Sequence, residues 1–402
     1  VFKDKLYFSS HDLLAFIRKN PILAIFSVIV SITYGVNAYL IYVIPPNNND
    51  SHYVHMAKIG HWMLNGSLDY YLTHYSFQHY YPFNAQSIIY WTTLFTESDH
   101  FAGFVQFGGA LFGALLVYIL ARSIHLRDNQ SFFASMVFLS IPQVFFGSTT
   151  TQVDLIVAAL TLGAFVLFFH GMINLDKGTI ILSAIAYSLA IGTKQTAIFT
   201  LPAFLAGIFW YWFKGTSYRK SIQSWLVAII ISGILMASSS YIRNFVWFNN
   251  FMGPNEQVEY LSLEDTNLGK AFLLNTSRLL YQSLDSTALP PILEGYIFRG
   301  KAHLAQSIFE AIRFPLDTDE GIYPDRQIKF DYMRRPALQE DSSWFGLISA
   351  ITLPILLILS FFRGIHSKNV PLIIIPLTTI TFHLFEFFIR PGWDFYLSRN
   401  YL

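Results

Sequence analysis

The sequence predicts an all-α fold, a polytopic transmembrane bundle of about nine or more helices, and three observations support this prediction. First, 53% of the 402 residues are hydrophobic and only 13% are charged, far more apolar than a soluble domain of this size. Second, apolar runs recur that approach the roughly 20 residues needed to cross a bilayer. Third, the short connections between these runs carry lysine or arginine on alternate sides, as in multi-span membrane proteins.

Nine apolar runs are candidate spans. The third and fifth runs are short for a straight span, so we expect their ends to be less certain than their existence. In chain order the runs are 22–44, 101–121, 131–147, 152–171, 179–193, 196–213, 222–241, 344–362 and 369–389.

The basic connections predict the orientation. The positive-inside rule places them, and the N-terminus, in the cytoplasm. Two long segments, 45–100 and 242–343, are then extracytoplasmic, and long translocated segments are largely exempt from the rule. Because the cytoplasmic connections are too short to build a pocket, we expect the active face outside, which means periplasmic, extracellular or lumenal. The basic residues are Lys3, Lys5, Arg18, Lys19, Arg122, Arg127, Lys177, Lys214, Arg219, Lys220, Arg363 and Lys368.

Three regions follow from this topology. Residues 1–241 form an N-terminal transmembrane module with 45–100 as its first extracytoplasmic loop, and residues 242–343 form a long outer segment. Residues 344–402 hold the C-terminal spans, which we expect to be incomplete because the chain stops where a further apolar run could begin. Helical spacing in the first loop predicts amphipathic helices along the membrane surface, carried by Tyr53, Met56, Ile59, Trp62 and Met63.

Two carboxylates near the outer membrane boundary are candidate functional groups. Asp50 follows the first span among residues that favour helix N-caps, so it is either a cap for the surface helix or a reactive group. Asp154 lies at the outer end of the fourth run, where a charge within apolar sequence is costly and marks a functional site by default. A helix cap is the alternative there too. The topology allows both carboxylates to line one cavity.

Cations are predicted on the same face. Lys194 lies at the turn between the fifth and sixth runs, Arg243 follows the seventh, and Arg390 and Arg399 follow the ninth. Such residues are commonly helix-end anchors whose long side chains reach toward water. Group transfer from a membrane-held phosphate donor needs a base at the acceptor hydroxyl and cations at the leaving phosphate. The sequence offers both kinds of group.

The order and spacing of these residues resemble the glycosyltransferase-C superfamily, in particular its protein O-mannosyltransferases and the bacterial lipid A aminoarabinose transferases. Asp50-Ser51-His52-Tyr53 resembles the acidic motif that follows the first span of the family. Tyr80-Tyr81-Pro82-Phe83-Asn84 is similar to its entry into a second surface helix, and Asp154 to its fourth-span Asp. Gly192-Thr193-Lys194, Tyr241-Ile242-Arg243-Asn244 and Arg399-Asn400-Tyr401 resemble three later motifs.

The resemblance implies a sugar donor of the polyprenyl-phosphate or dolichyl-phosphate type that enters from the membrane. It also implies inverting transfer to a protein, lipid or glycan acceptor on the extracytoplasmic face. Asp50 would be the catalytic base and Asp154 would assist in the catalytic site, while the donor phosphate would contact Lys194, Arg243 and Arg399. No cofactor is expected, although the oligosaccharyltransferase branch of the superfamily uses a divalent metal ion.

Other function classes remain open at this point. Ser51 stands where the family usually has a second acid, so a non-catalytic structural subunit of a larger membrane complex is the main alternative. A transporter ranks lower because we see no internal repeat. His52 and His55 are three residues apart and are weak candidates for a metal site with Asp50. A net charge of +1 argues against nucleic-acid binding, and the absence of cysteine excludes thiolate sites.

Overall fold

The described part of the chain is helical. A computed structural model describes residues 18–256, 267–286, 289–322, 329–335, 340, 343–367, 369–389 and 392–393. Within these ranges the only β-type pairing is an isolated parallel bridge between Ile322 and Trp393. The predicted all-α fold is therefore confirmed over these ranges.

The longest connections between the described helices are 249–267 and 312–346. Two of the elements are not α-helices, namely a π-helix at Ser51–Met56 and a 3-10 helix at Gln195–Thr200. The α-helices are α1 (Pro21–Val43), α2 (Ala57–Asn65), α3 (Phe77–Tyr80), α4 (Asn84–Thr96), α5 (Phe104–Ser123), α6 (Asp128–Ser140), α7 (Pro142–Gly147), α8 (Asp154–Asn174), α9 (Lys177–Ile191), α10 (Leu201–Trp212), α11 (Thr216–Met236), α12 (Ser238–Phe248), α13 (Leu268–Ser283), α14 (Pro291–Ala311), α15 (Leu347–Ser367) and α16 (Val370–Ile389).

Six of the described helices are long and apolar enough to cross a membrane, namely α1, α5, α8, α11, α15 and α16. They support a multi-pass membrane protein. The other three apolar runs are helical but shorter. Ile141 is extended because Pro142 follows it, so the run 131–147 divides into α6 and α7. The run 179–193 is α9, and the run 196–213 divides into the 3-10 helix and α10. Nine spans thus stay a prediction.

The first loop and the start of α8 lie at one end of the helix bundle. Thr151 donates to the Ser51 hydroxyl from its backbone N at 3.2 Å and from Oγ1 at 2.7 Å. The end of α9 lies there too, because Asn84 N donates to Gly192 O at 3.0 Å. We call this end of the bundle the Asp50 end.

The basic connections that the structure describes lie at the opposite end of the bundle. Asn129 Nδ2 donates to Asn20 Oδ1 at 3.3 Å, which joins the starts of α1 and α6 there. The end of α11 lies at the Asp50 end, since Met236 O accepts from Asn84 Nδ2 at 2.8 Å, so its start lies opposite. We call this second end the Asn20 end. Its cytoplasmic location stays a prediction.

Aromatic side chains fill the largest core, between α8, α9, α10, α11 and α16. Phe168, Phe204 and Trp225 are almost fully buried there, and the rings of Phe165 and Phe204 stack with their centroids 4.1 Å apart. The Trp225 indole N–H donates to Ser183 Oγ at 3.2 Å, which satisfies the polar atom that burial would otherwise leave unpaired. This core fixes the helices that carry the candidate site.

The described residues of segment 242–343 contribute to a core of their own at the Asp50 end. Arg278 on α13 is fully buried and donates to the carbonyl oxygens of Leu316, Thr318 and Glu320 at 2.7–2.9 Å, so one guanidinium holds the loop after α14. Burial lowers the pKa of Arg278 to about 10. The chain after α16 returns to this core, where Trp393 N donates to Gly321 O at 2.8 Å.

Candidate functional site

Asp154 and Lys194 form an ion pair at the Asp50 end. Asp154 is the first residue of α8 and is buried, and the Lys194 ammonium donates to its Oδ1. The exposed fraction of the Lys194 side chain is 26%, whereas that of Asp154 is 8%. The carboxylate also lies at the N-terminus of α8, where the helix dipole is positive. The buried acid is therefore paired with a partly accessible cation.

Two features of α5 hold the start of α8. In the amide orientation that satisfies both partners, buried Gln106 donates to Gln152 O at 2.9 Å and accepts from Leu155 N at 3.3 Å. It thereby caps one of the first N–H groups of α8. One turn away, a Cβ on Gly109 would lie 3.0 Å from Ile156 N, so the lack of a side chain lets the two backbones approach. These contacts fix the position of Asp154.

The turn that carries Lys194 depends on Gly192. A Cβ at this position would lie 2.2 Å from Asn84 Nδ2 and 2.5 Å from Met236 O. In the absence of a side chain, Asn84 reaches past the turn and donates to Met236 O at 2.8 Å. The turn is therefore clamped between α4 and the end of α11. The Gly-Thr-Lys motif noted in the sequence is a packing motif as well as the carrier of a cation.

Asp50 immediately precedes the π-helix Ser51–Met56 and is half-buried. Its side chain makes no capping hydrogen bond, and Asn48 Oδ1 instead accepts from Ser51 N at 2.9 Å. The cap is thus supplied by Asn48. A π-helix is rare and frequently marks a functional site. Through the bonds between Ser51 and Thr151, the segment holding Asp50 contacts the segment that leads into Asp154.

An apolar cavity of about 320 Å³ lies beside the Asp154–Lys194 pair. Its walls follow α8 from Asp154 to Phe169, a rise of about 22 Å at 1.5 Å per residue. The 3-10 helix and α16 form the facing walls, with Thr200 and Phe382 among their lining residues. Among the described residues, the charged groups that line this cavity are the two members of the ion pair. Such a shape suits an amphiphile with a long apolar chain and an anionic head.

Arg243 lies on α12 and packs against the first loop. It donates to Leu68 O at 2.6 Å, and its guanidinium lies 5.0 Å from the Tyr70 ring centroid and 5.5 Å from that of Phe83. The neighbouring Asn244 is buried and donates to Tyr80 O at 2.9 Å. The described contacts of both side chains fix the first loop onto α12. Arg243 is not among the residues that line the cavity, and Arg390 and Arg399 lie outside the described residues.

Lys58 is a buried cation that sequence reasoning missed. It lies on α2, is 3% exposed and donates to Tyr81 O at 3.2 Å. Its ammonium lies 5.3 Å and 5.4 Å from the ring centroids of Trp62 and Phe83. Burial, and then the nearby Arg243, lower the pKa of Lys58 to about 7. At helical spacing Lys58 falls beside the predicted apolar face rather than within it, so the sequence pattern gave no signal for its burial.

The two candidate metal-binding histidines lie in different environments. His52 is exposed, whereas His55 is buried with its Nδ1 2.9 Å from Gln86 Nε2. Across the described ranges, no group of three His, Cys, Asp or Glu side chains has an arrangement that could hold a metal ion. The structure therefore adds no support for a metal site with Asp50.

The comparisons with known proteins give one positive finding. Residues 79–269 match the model of glycosyltransferase family 87. This family consists of membrane glycosyltransferases, and the match supports the predicted transferase. The matched range contains Asp154, Lys194 and Arg243 but begins after Asp50. No curated protein and no solved structure matches the chain significantly. The particular glycosyltransferase-C branch stays a prediction.

Proposed function

We propose that the protein transfers a sugar from a polyprenyl-phosphate or dolichyl-phosphate donor to an acceptor hydroxyl at the Asp50 end, on the extracytoplasmic face. The cavity beside Asp154 and Lys194 is the observation that carries this proposal. Its apolar walls suit an isoprenoid chain, and the partly exposed Lys194 ammonium suits the phosphate at the head of that chain. The family match supplies the reaction class.

Each group has a role in an inverting transfer. The acceptor oxygen attacks the anomeric carbon and gives its proton to the Asp50 carboxylate. The bond between that carbon and the phosphate oxygen breaks, and its electron pair leaves with the polyprenyl phosphate. The Lys194 ammonium stabilises the charge that develops on the phosphate. Asp154 holds Lys194 in position and is a positioning residue in this scheme.

The contacts of Arg243 favour a different role for it. Its guanidinium binds Leu68 O and packs on aromatic rings of the first loop. We propose that it holds this loop, and with it Asp50, near the mouth of the cavity. Direct binding of the donor phosphate by Arg243 would require a shift of the guanidinium toward Lys194. Arg399 stays a sequence-based candidate for the same phosphate.

The proposal is tested by substituting Asp50. Purified protein in nanodiscs is incubated with a panel of polyprenyl-phosphate sugars, and release of polyprenyl phosphate is measured. We expect Asp50→Asn to lower turnover by about 100-fold or more, the usual contribution of a general base, with an unchanged melting midpoint. The matched control is Asp69→Asn, since Asp69 is an exposed acid of the same loop. Normal turnover of Asp50→Asn would exclude Asp50 as the base.

The same panel discriminates the alternative function. A structural subunit of a membrane complex would release no polyprenyl phosphate with any donor, and Asp50→Asn would leave its assembly unchanged. An active wild-type protein that loses turnover on Lys194→Gln, with a raised KM for the donor, would support the phosphate role of Lys194.

A further inference from the structure

A second groove lies between α9 and α11, away from the cavity described above. Its volume is about 610 Å³. The two helices both begin at the Asn20 end, and each contributes residues four apart along one face. These are Lys177, Ile181 and Ile185 on α9, and Lys220, Ser224, Ala228 and Ser232 on α11. The groove therefore has matching walls with one lysine at the start of each.

Small side chains on α11 form the floor of the groove, and their polar atoms already have partners. Ser224 Oγ donates to Lys220 O at 3.0 Å, and Ser232 Oγ lies 2.6 Å from Ser188 Oγ. The hydroxyls are thus satisfied within the protein, so the floor presents an apolar surface. Exposed Ile181 and Val227 also line the groove. A hydrocarbon chain therefore fits this floor without leaving a serine hydroxyl unpaired, and the amide of exposed Gln223 at its edge can reach water.

The charge of the groove is concentrated at the Asn20 end. Among the described residues, the charged groups that line it are Lys177 and Lys220, both exposed. The neighbouring Asp176 does not line the groove, and its carboxylate faces the first turn of α9, where Oδ1 accepts from Gly178 N and Oδ2 from Thr179 Oγ1. Two lysines at the starts of two helices favour an anion, because helix N-termini are also positive.

The groove is deep enough for an acyl chain of one leaflet. From Lys177 to Ile185 the α9 wall rises about 12 Å, and from Lys220 to Met236 the α11 wall rises about 24 Å, whereas half of a hydrocarbon core is about 15 Å. A lipid held here would keep its head group at the lysines and its chain in the groove. We propose that this groove is a binding site for an anionic phospholipid, with the phosphate between Lys177 and Lys220 and one acyl chain on the Ser224–Ala228 floor.

Lipid titrations of the delipidated full-length protein test this site. Binding of phosphatidylglycerol and of phosphatidylcholine with the same acyl chains is followed by native mass spectrometry. Each lysine near a membrane surface contributes about 1 kcal/mol, so two correspond to a preference of about thirty-fold for the anionic lipid. We expect Lys177→Gln/Lys220→Gln to abolish that preference with an unchanged melting midpoint.

A second pair of cations at the Asn20 end provides the matched control. Lys214 lies over the Tyr211 ring and Arg219 over the Trp212 ring, and neither lines the groove. Lys214→Gln/Arg219→Gln removes the same charge, and we expect it to keep the preference. If both double variants lose the preference for phosphatidylglycerol equally, the preference comes from general surface electrostatics and the proposed site is refuted. A wild-type protein that binds both lipids equally would also refute it.

Two further arms test the chain and the head group separately. Ser224→Leu fills the floor of the groove, and we expect it to weaken binding of both lipids about equally. Unchanged lipid binding in this variant would place the acyl chain elsewhere and refute the groove. Soluble glycerol 3-phosphate at millimolar concentration should fail to displace the lipid. Displacement of the lipid by glycerol 3-phosphate at that concentration would show that the site binds a soluble phosphate, contrary to the proposal.

Discussion

Substitution of Gly192 by alanine tests how the Lys194 turn is held. The glycine has φ −74° and ψ −5°, a conformation that alanine adopts without strain. In the folded protein the effect of the change therefore comes from the contacts of the added methyl group. That group would lie 2.2 Å from Asn84 Nδ2 and 2.5 Å from Met236 O, and a backbone oxygen cannot move as a flexible side chain does.

The expected cost follows from these contacts. Overpacking of this kind costs about 1–3 kcal/mol. Separation of α4 from the turn also removes two hydrogen bonds, Asn84 N to Gly192 O and Asn84 Nδ2 to Met236 O, at about 1 kcal/mol each. Replacement of a helical glycine returns about 0.4–1 kcal/mol through the unfolded state. The free energy of unfolding should fall by about 2–4 kcal/mol.

The assay is the melting midpoint of the purified protein, followed by tryptophan fluorescence in one detergent. With an unfolding entropy of about 2.1 cal/mol/K per residue, the 402 residues give a decrease of about 2–5 °C. Gly233→Ala is the control, because a Cβ there meets nothing within 4 Å. We also expect Gly192→Ala to lower turnover by displacing Lys194. If Gly192→Ala and Gly233→Ala have the same melting midpoint, the close packing of this turn against α4 and α11 does not contribute to stability as described.

Two further predictions concern buried charges. The pKa of Lys58 is lowered to about 7 in the folded protein from an ordinary 10.5, so between these values the unfolded chain binds more protons and stability should rise with pH. We expect the midpoint of the wild type to rise relative to that of Lys58→Met between pH 7 and pH 9.5, and parallel curves would contradict this. Lys194→Met leaves the Asp154 carboxylate buried without its cation and should destabilise the protein by about 3 kcal/mol. Asp154→Asn/Lys194→Met should recover part of that loss in a double-mutant cycle of melting midpoints, and additive effects would show that the pair is not coupled.

The candidate site shows how far local sequence signals reach. Asp154 and Lys194 were recognisable because charges at the ends of apolar runs are costly unless they have a function or a partner. That they form an ion pair was not recognisable, since 40 residues separate them and no local pattern encodes the contact. Arg243 was identified for the same reason as Lys194, yet the structure places it against the aromatic rings of the first loop.

The first loop shows the same limit on a smaller scale. Helical spacing predicted a surface helix, and Ile59 and Trp62 are indeed buried, whereas Tyr53 and Met63 are exposed. The π-helix at Ser51–Met56 changes the register of the residues before α2. A π-helix has no distinct pattern of apolar residues, so the sequence did not predict it, and the contact of the exposed apolar face with a membrane stays a prediction.

The sequence by itself determined the class of molecule, because the length and apolarity of a run suffice to predict a helix that crosses a membrane. It also located the charged residues that membrane insertion makes costly. Only the tertiary structure decided which charges meet, which apolar faces leave a cavity, and where a backbone such as that of Gly192 needs a residue without a side chain. The physical reason is that those features arise from contacts between helices distant in sequence, whereas hydropathy is a property of each segment alone.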